Sequence, residues 1–352
     1  MVKNTYSHIR IAGMAAAVSS HWQSIEECAA DPRAPGDFHA AKFTKSTGVK
    51  GRYLCLKNQT PADFCVAAAE NLLTEKKIAR NEIGGVVYVT QSPDYRSPAT
   101  ACVMQHRLGL SSDCVALDVN MGCSGFVCGL NVAAGLLAAS SADKALLLCG
   151  DLTGQDMDRD SVSNSDYYLF GDAGAAILLE KTNDGEQLMI LSATDGSGLK
   201  VISSPGCLWR HPTWKYGNAM DGVEVFNFAI SRAPEMLKAY MEDAQTTPED
   251  YDRLVLHQAN LYIMKQVAKR AGFPPEKMSV SIDRFGNTSC VSIPLSIVND
   301  YGDEKSDAPI RFLTCGFGVG LSWAAVEFVL TPDDILTLVH TDEWFEDGLE
   351  EI

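Results

Sequence analysis

A thiol, an imidazole and a carboxamide stand in three separate turns of this chain, at Cys123, His257 and Asn287. Cys123 lies in Asp118-Val-Asn-Met-Gly-Cys-Ser-Gly-Phe-Val-Cys-Gly-Leu130, where an apolar strand-like run breaks at small residues and a long apolar helix-like run follows. A thiol at the start of a helix meets unpaired N–H groups and the positive end of the helix dipole, which favour thiolate over thiol. Taken singly, each residue has a plainer reading. A cysteine in an apolar stretch is usually an inert core residue, a lone histidine a hydrogen-bonded core group, and an asparagine after glycine a turn former. Each of the three turns reads as following a strand. In parallel α/β sheets the carboxyl ends of different strands converge on one ligand site, so the three are expected to meet.

The elements that must position them read as α/β. Ser7 to Val18, Gly85 to Thr90, Val115 to Val119 and Ala145 to Cys149 read as strands. Between them lie helical runs over Thr60 to Leu72, Thr100 to Leu110 and Ser124 to Ser140, the first with Thr60 as N-cap and Pro61 in its first turn. Strands alternating with helices imply a largely parallel sheet covered on both faces. Phe170-Gly-Asp-Ala-Gly-Ala175 is a Gly-rich turn without the spacing of a phosphate-binding loop, and is read as structural. The order then repeats: a strand over Glu186 to Thr194, helices over Val223 to Asp243 and Leu261 to Ala271, a strand at Leu254, and a helix over Val291 to Tyr301. Strands at Ile310 to Thr314 and Leu321 to Leu330 flank a turn at Gly316 to Gly320. This suggests an internal duplication, with halves at 1–183 and 184–330 and an acidic tail at 331–352. The tail has eight acidic residues and no lysine or arginine, and is expected to be solvated or loosely docked, with no part in the chemistry.

Composition bounds the function. The 352 residues are 46% hydrophobic and 21% charged, which fits a globular protein with a large core. A net charge of -16 argues against broad contact with nucleic acid or anionic membrane, so an acidic partner would need a local basic patch. The eleven cysteines include no C-x-x-C pair and no zinc-ligand spacing, so no metal is expected and the usage looks reduced and cytoplasmic. No secretory h-region and no membrane-span-length apolar run is read.

The local strings resemble one family. Cys-Ser-Gly-Phe at 123–126, His-Gln-Ala-Asn at 257–260, Gly-Asn-Thr-Ser at 286–289 and Gly-Phe-Gly-Val-Gly-Leu-Ser-Trp at 316–323 are similar to β-ketoacyl-acyl-carrier-protein synthase III, of the thiolase superfamily. Phe170 to Ala175 and Met220-Asp-Gly-Val-Glu-Val-Phe226 match two further strings, in order, over about Ile9 to Leu330. The resemblance implies a thiolase fold of two duplicated halves in five αβαβα layers, a homodimer, and thioester substrates without a cofactor. Cys123 would attack an acyl thioester and hold the acyl group, splitting one hard carbon–carbon bond formation into two steps. His257 and Asn287 would then donate hydrogen bonds to the thioester oxygen of malonyl-carrier protein as carbon dioxide leaves. The backbone N–H groups of Cys123 and Val319 would serve the oxyanion. Cys, His and Asn suit this division, since a hydrolase triad would need a base to activate water.

Departures from the family bear on substrate. Members that take acyl-CoA usually carry a Trp and an Arg just before the Thr-Gly pair; here Phe38 to Ser46 has no tryptophan and Ser46 stands in the Arg position. Tyr262 replaces an Arg that commonly docks the donor. Both changes suggest a primer brought by an acyl carrier protein. Near Pro98, Arg96 and Ser97 replace a bulky aromatic of the acyl pocket, which suggests a longer or functionalised acyl group in a specialised lipid or secondary-metabolite pathway. Lys265, Lys269 and Arg270, on the helix after His257, are the expected docking patch for the carrier protein. The alternatives are a non-decarboxylating thioester synthase or acyltransferase of the same fold, and a non-catalytic subunit of a heteromeric synthase.

Overall fold

The structure, a computed structural model, describes residues 1–30, 38–152, 166–205, 210–213 and 219–349. The loop expected at Asp31 to Gly36 and the polar stretch from Thr153 lie outside them. The described chain builds two mixed sheets. The first is six-stranded, in the order Val339–His340, Ile9–Val18, Ala173–Lys181, Lys144–Asp151, Ile83–Val89, Val115–Val119. The second is five-stranded, in the order Val2–Ser7, Gln187–Thr194, Ser322–Leu330, Ile310–Gly318, Arg253–Leu256.

Three packing layers of helices accompany the sheets. Pro61–Glu75 and Thr100–Arg107 cover the outer face of the first sheet, where Phe64, Leu72 and Met104 pack on Val86, Leu146 and Leu178. Gly222–Ala244 and Leu261–Ala271 cover the outer face of the second, with Met236, Leu237 and Met264 against Leu254, Leu313 and Ala325. Gly125–Ala139 and Ser292–Tyr301 lie between the sheets, so Phe126, Leu130 and Leu137 share one core with Ile297, Phe312 and Val326. The expected αβαβα body is therefore present. The middle helices are apolar around most of their surface because both faces meet a sheet. Each fully buried Leu or Phe there is worth roughly 1.5–3 kcal/mol.

Local signals set most boundaries. Thr60 and Asp63 close a capping box with Pro61 in the first turn of Pro61–Glu75. Asn260 accepts from the backbone N–H of Ile263 to start Leu261–Ala271, and Gly272 at φ 90 ends it.

Several expectations need correction. The strand expected over Ser7 to Val18 runs over Ile9–Val18, and a further strand, Val2–Ser7, precedes it across His8 at φ 62 and pairs with Gln187–Thr194 in the second sheet. Gly316 to Gly318 is not a turn but the end of Ile310–Gly318, which pairs to Ser322. Asn287 follows the short helix Ile282–Phe285 instead of a strand. The acidic tail is docked as far as Asp347, whose carboxylate accepts the Tyr95 hydroxyl. Its Val339–His340 pairs in parallel with Ala17 and Val18, the Gln59 side chain donates to the carbonyls of Thr341 and Glu343, and the Arg107 guanidinium lies over the Phe345 ring. Backbone pairing and two cations, Arg107 over Phe345 and Lys76 on the Asp334 carboxylate, hold this strap although it has no cation of its own.

Candidate active site

The two central helices begin at the same place. Gly125 opens one, and a Cβ there would come within 2.9 Å of Cys290 Cβ, just ahead of the other. Cys123 and Ser124 precede the first helix; Ser289, Cys290 and Val291 form a tight turn before the second. The strands Val115–Val119 and Arg253–Leu256, both in parallel pairs, deliver Cys123 and His257 at their carboxyl ends.

Cys123 is buried, and Gly318 crosses directly beside it: a Cβ on Gly318 would lie 2.7 Å from Cys123 Sγ. Glycine is required there by space. The backbone N–H of Val319 and that of Cys123 itself both point at the sulfur and favour the thiolate, as does the Ser289 hydroxyl. Burial outweighs them and pushes the Cys123 thiol up to about 11. The thiolate expected from the helix terminus is therefore not the resting form; sequence shows the donors but not the depth at which they act. Val319 is not among the residues with positive φ, which falls instead on Gly320 at 139, so the Val side chain carries no backbone strain.

His257 is fully enclosed, with Phe317 edge-on at 5.6 Å between ring centroids. Burial holds it down to about 3, so the imidazole is neutral. Its Nδ1 lies 2.8 Å from Ser292 Oγ, which is also 2.8 Å from the Ser289 carbonyl oxygen. The single Ser292 hydrogen can go to the Ser289 carbonyl, which suits the tautomer with its hydrogen on Nδ1, or to Nδ1, which suits the other. When Ser292 donates to Nδ1, Nε2 carries the hydrogen and can donate to a substrate oxygen.

Asn287 Oδ1 accepts the backbone N–H of Ser289 at 2.9 Å. This fixes the orientation of the amide and turns its Nδ2 donor the other way. The Asn287 backbone is pinned on both sides, donating to Leu169 O and accepting from Gly171 N. The Gly-rich turn at Phe170 to Ala175 thus has a structural task in holding the asparagine loop.

Ser289 is the residue that the sequence reading missed, and with it Ser292, Gln91 and Asp151. Its φ of 50 is uncommon for a residue with a side chain, and such strain persists where the surroundings fix it. The Ser289 N–H donates to Asn287 Oδ1, its carbonyl meets the Ser292 hydroxyl that also meets His257, and its own hydroxyl accepts from Gln91 Nε2 at 3.1 Å. The string Gly-Asn-Thr-Ser contained it; nothing about a serine in a turn singled it out.

Arg96 and Ser97 lie exposed on the segment between Gln91 and Thr100. Lys265 and Lys269 are exposed on Leu261–Ala271, whereas Arg270 donates to the Ile230 carbonyl at 2.8 Å and ties two outer helices together. Tyr262 is 55% exposed and stacks on Phe226 at 5.7 Å. Among the described residues no cluster of His, Cys, Asp or Glu could hold a metal ion, and no helix is long and apolar enough to cross a membrane.

Two family models match the segments that carry these residues. Residues 117–197 match the 3-oxoacyl-[acyl-carrier-protein] synthase III model, and 241–329 match its C-terminal model. A β-ketoacyl-[acyl-carrier-protein] synthase III of Synechocystis is 33% identical over 288 residues, covering 79% of this chain and 86% of the relative. The chain belongs to this synthase III family. The family's acyltransferases share its fold as well. A 3-oxoacyl-(acyl-carrier protein) synthase from Burkholderia xenovorans superposes with a TM-score of 0.91 at 31% identity, covering 97% of this chain and 99% of that one. The priming β-ketosynthase of the R1128 polyketide pathway, at 24% identity and a TM-score of 0.83, covers 92% of this chain and 97% of its own and shows the thiolase-like fold alone.

Proposed function

We propose that this synthase III family acyltransferase loads an acyl group on Cys123 and condenses it with malonyl-carrier protein by decarboxylation. The observation that carries this reading is the convergence of a buried thiol, a neutral histidine and an oriented carboxamide donor around Ser289. The thiol attacks the acyl thioester while the Val319 and Cys123 N–H groups hold the oxyanion. The malonyl thioester oxygen then meets Asn287 Nδ2 and His257 Nε2. Neutral donors suit this step, because they stabilise the enolate without protonating it. Water would hydrolyse the acyl-cysteine, and the burial that raises the thiol also limits its access.

The primer in this reading is a longer or functionalised acyl group delivered by a carrier protein. In place of an Arg at the donor approach stands the aromatic pair Tyr262 and Phe226. In the segment that lacks the tryptophan, Phe38 stacks on Tyr168 at 3.9 Å and its ring is committed to packing. Lys265 and Lys269 are the docking cations in reach of an acidic carrier, with Arg270 partly used by the helix pair. The second copy of a homodimer would add across Val115–Val119, the open edge of the first sheet, where Val115 is exposed and completes the acyl pocket near Arg96 and Ser97.

The test is the mass added to Cys123 by acyl-CoA and acyl-carrier donors from acetyl to dodecanoyl, followed by release of labelled carbon dioxide from malonyl-carrier protein. Faster loading by medium-chain carrier donors is expected. A sharp preference for acetyl-CoA overturns the primer assignment, and loading without carbon dioxide release overturns decarboxylative condensation.

A further inference from the structure

Arg52 has no solvent exposure, and nothing in the condensation scheme uses it. It stands on the strand Gly51–Tyr53, which pairs with Trp22–Ser24 in a two-stranded ribbon apart from both large sheets. Arginine is almost never fully buried unless its donors are paired. Here Nη1, which carries two hydrogens, donates to the backbone carbonyls of Tyr167 and Phe170, the latter at 2.8 Å. Nη2 meets Cys28 Sγ at 3.9 Å, and the guanidinium carbon lies 4.7 Å from the centre of the Tyr167 ring. Among the described residues, the oxygens that Arg52 grips are therefore main-chain oxygens, where a carboxylate would be the ordinary partner.

A cation committed to carbonyls fixes a segment of chain, and this segment leads to the site. Phe170 stands between Leu169, whose carbonyl accepts the Asn287 N–H at 2.8 Å, and Gly171, whose N–H donates to the Asn287 carbonyl at 3.1 Å. The two segments run as a parallel bridge with Phe170 opposite Asn287. The stem of Arg52 is seated against both of them: a Cβ on Gly171 or on Gly286 would come within 3.2 Å and 3.5 Å of Arg52 Cβ. The same ribbon also holds the chain that enters Asn287. The Lys50 N–H donates to Asp283 O at 3.0 Å, and Trp22 Nε1 donates to Arg284 O at 3.0 Å. Both flanks of the Asn287 backbone are tied to one ribbon, and Arg52 is the side chain that ties the first.

We propose that Arg52 is a positioning residue for condensation, which holds the Asn287 amide at the malonyl thioester oxygen through the carbonyls of Tyr167 and Phe170. This rests on the reading of Asn287 as a donor to the developing enolate. Asn287 Oδ1 is already fixed on the Ser289 N–H, so the place of Nδ2 follows the place of the backbone that carries it. A donor displaced by an ångström still binds but no longer meets the oxygen as charge builds on it. Cys123 lies ahead of the other central helix, and none of the hydrogen bonds of Arg52 leads to it.

Carbon dioxide release from labelled malonyl-carrier protein and single-turnover loading of Cys123 read the two halves of the reaction separately. Arg52→Gln is neutral and should slow release at least ~10-fold while leaving loading within about twofold. Arg52→Lys keeps the charge without the planar fork and should recover part of that loss. The same substitutions are then made on Asn287→Ala. Acting through Asn287, they should cost release less than about twofold more in that background, far from additivity. Equal losses of loading and release, or the full further loss on Asn287→Ala, overturn the proposal. So does failure of both Arg52 variants to fold in thermal melting, because the fold survives the loss of a positioning residue. Undiminished release by Asn287→Ala alone would refute the condensation reading and the proposal with it. A slow Asn287→Ala with additive Arg52 losses would refute only the proposal.

Discussion

The starts of the two central helices meet between the sheets and are built from opposite materials. Ahead of Gly125–Ala139 the chain is small and apolar, and its offering to the site is a sulfur with backbone N–H groups aimed at it. Ahead of and within Ser292–Tyr301 stand Asn287, Ser289, Ser292 and Ser296, and the offering is a set of side-chain hydrogen bonds. The Ser296 hydroxyl donates to the Ser292 carbonyl and meets Ser281 at 2.6 Å, so this side is anchored several residues deep. The fold brings two helix ends to one point, and the difference between them divides what each can offer. In the proposed reaction one end carries the acyl group while the other supplies the hydrogen-bond donors for the enolate.

Removing each side in turn should give unlike defects. Cys123→Ala is expected to abolish the acyl adduct and lower turnover by about a thousandfold or more, read by intact mass and product formation. Asn287→Ala should lower condensation by about 10²–10³-fold yet leave Cys123 loading nearly intact, which single-turnover loading and carbon dioxide release measure separately. Equal loss in both half-reactions would erase the division. Gly318→Ala places a Cβ 2.5 Å from Cys123 Cβ, and should slow loading about tenfold at a stability cost of ~1–3 kcal/mol seen in thermal unfolding.

The smallest expected effect concerns pH. His257 titrates near 3 in the folded chain and near about 6.5 when unfolded. Between those values the unfolded chain binds the extra proton, so the stability tied to a neutral His257 is complete above about pH 6.5 and is lost as pH falls toward 3. Urea midpoints at pH 7 and pH 5 should differ less in His257→Asn than in the unaltered protein. A pH dependence that survives the substitution would assign it to other groups.

Periodic segments carried most of the fold in the sequence. Val115–Val119 and Leu261–Ala271 lie where their apolar pattern and capping residues put them, because those signals are local. His8 was invisible for the opposite reason: a single left-handed residue moves Val2–Ser7 to another sheet, and no propensity marks it. Gly316 and Gly318 look like turn residues, but their glycine is demanded by Ser124 and Cys123 across the sheet end, where a Cβ would come within 2.8 Å and 2.5 Å. Of the site, Cys123, His257 and Asn287 were legible through the strings around them. Gln91, Asp151, Ser289 and Ser292 were not, because each is an ordinary polar residue until three separate elements bring it beside the thiol. The depth of burial that keeps the thiol protonated is likewise a property of the assembled layers.

The docked tail has a consequence for growth. Residues 335–341 run beside Ile9–Val18 from the Met14 contact to the Thr341 N–H on Val18 O, and so occupy one rim of the six-stranded sheet. At the opposite rim, Val115–Val119, no further strand pairs among the described residues. A sheet with both rims bare could be extended indefinitely by further copies. The outermost strand on the tail's side is thereby cut to the two residues Val339–His340, which is too short to template a further strand, so growth of the sheet from that rim is blunted.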